Sequence, residues 1–165
     1  VGWSMSFDNI GERFEYVRWG STWKQLDKNV TTVAKRINNS TQHGGIQAVY
    51  SIYNCTRLCE LKQYAVDKNI NIIWQRMEQW NQLDPHKHNQ KIRTLAIAEL
   101  HEYRKNFTLT TSEDEFVEQQ LLHLKNDHGN QDSEFNKFTH DVENKWHPDQ
   151  KGKFAKLWPE LAQAL

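Results

Sequence analysis

The chain has 165 residues, with 37% hydrophobic and 25% charged side chains and 21 basic groups balancing 21 acidic ones. That length suits one domain with its own core, and 12% aromatic residues, seven of them Trp, are too many for a disordered chain. The neutral balance gives no reason to expect nucleic acid or an anionic membrane as partner, and no apolar run approaches the roughly 18 residues of a membrane span.

Helical spacing dominates the chain. Phe7, Ile10, Phe14 and Val17 recur at intervals of 3 and 4 residues, and so do Trp23, Leu26, Val30, Val33 and Ile37. These stripes predict helices over 7–19 and 21–38, broken at Gly20, with Ser21 as N-cap of the second. Residues 38–45 contain Gly44 and Gly45 and read as a loop. From Ile46 to Leu83 there is no Gly or Pro. The apolar phase shifts near residues 67–71, which predicts two helices; the alternative is a short strand at Ile70-Asn71-Ile72-Ile73.

Asp84-Pro85 breaks the chain again, because the residue before Pro avoids helical geometry. Ile92, Leu95, Ala96, Leu100, Tyr103 and Phe107 then form a helical stripe. Ser112-Glu113-Asp114-Glu115 resembles a capping box ahead of Val117, Leu121 and Leu124. Asn126-Asp127-His128-Gly129-Asn130 should stop that helix. Ser133 can cap the next one, where Phe135, Phe138, Val142 and Trp146 form an apolar stripe ending at His147-Pro148. Phe154, Leu157, Leu161 and Leu165 close the chain around Pro159, which should break or restart the last segment. The expectation is a single all-α domain over residues 1–165, a compact bundle of about seven or eight amphipathic helices joined by short loops.

The residues that carry chemistry are few. Asn-x-Ser/Thr occurs at Asn29, Asn38, Asn39, Asn54 and Asn106, where composition alone predicts roughly 1.4 matches. Asn38, Asn39 and Asn106 fall near expected loops and are the glycosylation candidates. With a first residue that is Val rather than Met, this points to a processed, exported chain. Cys55 and Cys59 sit four apart on one helix face, where a disulfide would have to span an intact turn; a pair of small buried residues is the plainer reading.

Seven of the eight His lie between 86 and 147. His86 and His88 flank Lys87 with a spacing that seats a metal if a third ligand approaches, although titrating surface imidazoles account for them as well. His140-Asp141 resembles the central dyad of HD-type metal phosphohydrolases, with His101 and Asp149 available as the outer ligands. No P-loop, G-x-S-x-G, H-E-x-x-H or Gly-rich dinucleotide turn is present, and no cofactor is expected.

Trp23, Trp74, Trp80 and Trp146 lie on stripes expected to be core. Trp3, Trp19 and Trp158 lie at element ends and are the candidates for contact with a ligand or partner. These features predict a secreted helical binding protein that engages a protein partner or small ligand through an aromatic-lined surface or pocket. The alternative is an effector or toxin-type hydrolase domain using the His- and acid-rich residues 123–149. A purely structural assembly subunit would also use the apolar stripes, as interface.

Overall fold

The computed structural model describes residues 2–77, 79–126 and 129–165. The all-α expectation needs correction. Helix dominates, but a three-stranded parallel sheet organises the first half of the chain. Strand β1 (Gly2–Ser6) leads through helices α1 (Gly11–Val17) and α2 (Trp23–Asn38) to β2 (His43–Tyr50), and α3 (Leu58–Lys68) leads to β3 (Asn71–Arg76). The strand order follows the chain, β1-β2-β3. Met5, Ile46 and Ile72 share one register line, and Ser4, Gly45 and Asn71 the next.

The helix expected from residue 46 fails because Ile46, Ala48 and Tyr50 obey period two as well as Ile46, Val49 and Tyr53 obey the helical period. Gly44 and Gly45 belong to the strand rather than a loop. A Cβ on Gly44 would lie 2.6 Å from the Trp3 carbonyl oxygen, and one on Gly45 would lie 2.5 Å from that of Asn71. Two neighbouring backbones therefore approach too closely for any side chain there. Of the two readings of residues 70–73, the strand is the one the chain adopts.

One face of the sheet is packed. Ile46, Ala48 and Ile72 meet Val30 and Ala34 of α2 and Leu61 and Ala65 of α3, with Phe7 and Phe14 closing the cluster. The other face leaves Ser4, Ser6, Ile73 and Gln75 exposed. Parallel sheets are usually covered on both faces, so this one is open in an uncommon way.

The second half is helical as expected. Helices α4 (Gln90–Asn106), α5 (Thr111–Lys125), α6 (Asp132–Asp141), α7 (Lys153–Leu157) and α8 (Pro159–Ala164) enclose a second core of Leu58, Ile92, Leu100, Phe135, Phe154 and Trp158. Pro159 restarts the chain as a new short helix, at the position its missing N–H favours. The capping box lies two residues earlier than its sequence signature: Thr110 accepts the Glu113 amide, and Glu113 accepts the Thr110 amide. In the expected stop after α5, Asp127 and His128 lie outside the described residues.

Between α6 and α7 the helix widens into a π-helical turn, Val142–Trp146, closed by the His147 amide on the Val142 carbonyl at 2.8 Å. The wider turn changes which side chains face inward. Glu143 is buried, whereas Trp146 is 56% exposed, so the expected Phe135–Phe138–Val142–Trp146 stripe breaks at its last member. Trp80, also expected in the core, is exposed as well.

Candidate functional site

The three strands end at one place. Asp8 lies two residues beyond β1, Val49 and Ser51 lie at the end of β2, and Met77 follows β3. All four line a cavity of about 270 Å³. Tyr16, Val17 and Trp19 from the end of α1 form one side. Phe138, Val142, Trp146 and His147 from α6 and the π-helical turn form the other. The cavity therefore occupies the position where parallel sheets present ligands, outside the carboxyl ends of the strands.

The floor is polar and pinned. Asp8 is 8% exposed; its Oδ1 accepts the Val49 amide at 2.7 Å, and its Oδ2 accepts the Arg18 guanidinium at 3.1 Å. Asn54 fastens the same loops. Its Nδ2 donates to the carbonyls of Val49 (2.8 Å) and Asp8 (3.2 Å), and its Oδ1 accepts the Ser51 amide at 2.8 Å. Asn54 drew notice in the sequence only as a sequon; its side chain is fully buried, and no local pattern announces its role.

The wall is aromatic. Trp19 stacks on His147 with ring centroids 4.1 Å apart, and Phe138 meets Trp146 edge-on at 5.8 Å. The Nδ1 of His147 is buried and has no hydrogen-bond partner among the described residues. Behind the wall, Glu143 accepts the amides of Gly152 (2.8 Å) and Phe154 (2.7 Å) and the Tyr16 hydroxyl (3.3 Å). Burial, then Tyr53 and Glu143, push the Tyr16 phenol far above its ordinary range, so it serves Glu143 as a neutral donor.

Of the three Trp singled out from sequence, only Trp19 lines this cavity. Trp3 lies at the opposite, amino end of the sheet, half-buried, with Nε1 donating to Gln42 at 2.8 Å. Trp158 is a correction: it is fully buried, donates Nε1 to the Tyr53 carbonyl at 2.8 Å, and belongs to the core. Its place at a helix end hid the fact that two helices pack over it. Trp146 shows the reverse outcome, assigned to the core by periodicity and delivered to the cavity by the π-helical turn.

The His86 and His123 rings lie 5.4 Å apart, but neither Asp84 nor Asp132 joins His86 to His88. His86 and His88 are both fully buried and serve different carboxylates. The His86 ring lies 2.6 Å from Asp84, and His88 lies between Asp132 (2.8 Å) and the Gln82 carbonyl (3.0 Å). Burial raises the Asp84 carboxyl, but His86 outweighs it and holds the group below its ordinary value. Among the described residues, no group of three or more His, Cys, Asp or Glu is placed to hold a metal ion. The His140 ring lies 3.5 Å from Asp141 on the surface.

Cys55 and Cys59 are free thiols. Burial, then Glu99, push both up, Cys59 to about 12, so neither is an activated nucleophile. Asn38, Asn39 and Asn106 are exposed, at or just beyond the last residues of α2 and α4, with the Asn38 and Asn106 side-chain amides donating to the Lys68 carbonyl (3.1 Å) and to Glu102 (3.2 Å); Asn54 is fully buried. No helix among the described residues is long and apolar enough to cross a membrane. Compared with known proteins, the chain matches no family model, no curated protein and no solved structure.

Proposed function

We propose that the protein binds a small organic ligand in the cavity at the carboxyl ends of its parallel strands. The observation that carries this reading is convergence. The segments just beyond β1 and β3, the end of β2, the end of α1 and the π-helical turn contribute lining residues to one hollow. Its composition, aromatic walls with a few fixed polar groups, is that of a small-ligand site. The wide helical turn adds support, because π-helical turns concentrate at functional sites.

The neutral fluorophore N-phenyl-1-naphthylamine tests this reading. Saturable binding with one site per chain is expected. Met77→Trp, which fills the hollow, should weaken it about tenfold or more, the equivalent of losing roughly 1.4 kcal/mol. Binding that is absent, or that Met77→Trp and Trp19→Ala leave unchanged, overturns the reading.

A further inference from the structure

We propose that the ligand of this cavity is an organic cation, an apolar or aromatic body carrying a protonated amine. The inference rests on the cavity being the binding site, and it concerns which chemistry that site selects.

Among the described lining residues Asp8 is the one carboxylate, and none is Lys or Arg. A carboxylate offers about four lone-pair sites, and the Val49 amide and Arg18 use two of them. The remaining capacity can only accept, so it asks the ligand for a donor. His147 brings a second polar atom to the hollow: its Nδ1 has no hydrogen-bond partner among the described residues. The Tyr16 hydroxyl donates to Glu143, which leaves its oxygen free only to accept.

The walls favour the same ligand. Tyr16, Trp19, Tyr53, Phe138 and Trp146 all line the hollow. The negative faces of such rings attract a cation within about 6 Å of a centroid and disfavour an anion. A primary or substituted ammonium against Asp8, with its apolar body along Phe138 and Trp146, uses both features. An anionic ligand meets no lining Lys or Arg among the described residues, and the donors it finds, the Ser51 hydroxyl and the Trp19 and Trp146 indole N–H groups, are uncharged.

Arg18 is the opposing charge. Its guanidinium pairs with Asp8, but the two partners differ in exposure: the Arg18 side chain is 41% exposed and that of Asp8 is 11%. Water and salt screen the exposed cation more than the buried carboxylate, so the cavity interior remains negative. Arg18 thus moderates the selectivity without reversing it.

The test compares 2-naphthylmethylamine, protonated at neutral pH, with 2-naphthoate, the same ring bearing the opposite charge. Titration calorimetry of the full chain should show the amine binding about tenfold tighter or more, of the order expected for cation–π attraction with an added ion pair. Asp8→Asn keeps an oxygen for the Val49 amide and should bring the two probes within about threefold of each other. Arg18→Ala should widen the gap instead, and it keeps the proposal falsifiable if Asp8→Asn does not fold. Equal binding of both probes to the native chain, with Met77→Trp weakening both, overturns the cation selectivity and leaves the cavity as the site. Preference for the naphthoate, or a gap unmoved by either variant, overturns it too. If Met77→Trp affects neither probe, the cavity reading falls, and the selectivity falls with it.

Discussion

The two halves of the molecule contribute to the cavity in different ways. Residues 2–77 supply a floor from strand ends, where backbone ladders and the Asn54 amide hold Asp8, Val49 and Ser51 in place. Residues 129–165 supply much of the wall, from a helix that widens just as it reaches the hollow. The floor is polar and tied by short hydrogen bonds. The wall is apolar and includes an exposed Trp146. Polar selectivity therefore depends on the sheet, and shape depends on the helical half, so a change in one should leave the other's contribution measurable.

The largest expected effect comes from breaking the joint between the halves. Trp158 of the helical half packs against Tyr16 and Tyr53 of the first half, with ring centroids 5.4 and 5.3 Å away. Trp158→Ala should cost about 3–5 kcal/mol in urea unfolding, the range for deleting a fully buried large aromatic. A single cooperative transition should persist in the variant. A loss below about 1 kcal/mol would place Trp158 outside the core, and two separated transitions would mean that the halves fold independently.

A second joint is ionic. Lys62 of α3 meets Glu113 of α5 at 2.5 Å, with side-chain exposures of 10% and 3%. Burial tends to raise the Glu113 carboxyl. The Lys62 ammonium, the Thr110 amide and the Tyr103 hydroxyl outweigh it and hold the group below its ordinary value. A depressed carboxyl stabilises the fold above the ordinary carboxylate range, and that stability is lost as pH falls through the folded value. Lys62→Met should cost about 3 kcal/mol at pH 7, near the low end for breaking a buried pair because Glu113 keeps its other donors. The gap between native and variant chains should narrow as pH is lowered below the carboxylate range, where Glu113 is protonated in both. A gap that stays constant with pH would show that the pair does not join the halves.

The same division explains what the sequence disclosed. In the helical half, apolar side chains recur over three or more turns, and the stripes predict α4 and α5 closely; α6 is found too, but its N-cap is Gln131 rather than Ser133 and it ends at Asp141, short of the end of the expected stripe. Helix α2 is equally legible, although its N-cap is Thr22 rather than Ser21. The strands are five to eight residues long, and one of their faces is buried under helices. Over such a length Ile46-Gln47-Ala48-Val49-Tyr50 satisfies both periods, and only the neighbouring strands decide between them. Gly44 and Gly45 were the available signal, since paired glycines mark a close backbone approach as readily as a loop. Trp19, which the sequence singles out as a contact candidate, lies in the cavity lining, and whether it contacts a ligand is for the binding test to decide. Asp8 and Ser51, and Asn54 behind them, carry no sequence signal, because their significance exists only once three strand ends meet.

The smallest expected effect sharpens the contrast between two tryptophans of the helical half. Periodicity places Trp146 on the same stripe as Phe135, and a single unbroken helix would turn it to the same buried face, about three turns further on. The π-helical turn adds a residue to the circuit, so Glu143 turns inward and binds the Gly152 and Phe154 amides. Trp146 turns outward, with Phe138 edge-on beside it at 5.8 Å. Burial that is not made cannot be lost, so Trp146→Ala should change stability by less than about 1 kcal/mol, against about 3–5 kcal/mol for Trp158→Ala. Binding should respond the other way round, because Trp146 lines the cavity and Trp158 does not. Affinity for N-phenyl-1-naphthylamine should fall severalfold in Trp146→Ala while its unfolding midpoint in urea stays near the native value. A large loss of stability would mean that the stripe continues past Val142 and that Trp146 is core. Full stability with full affinity would remove it from the wall.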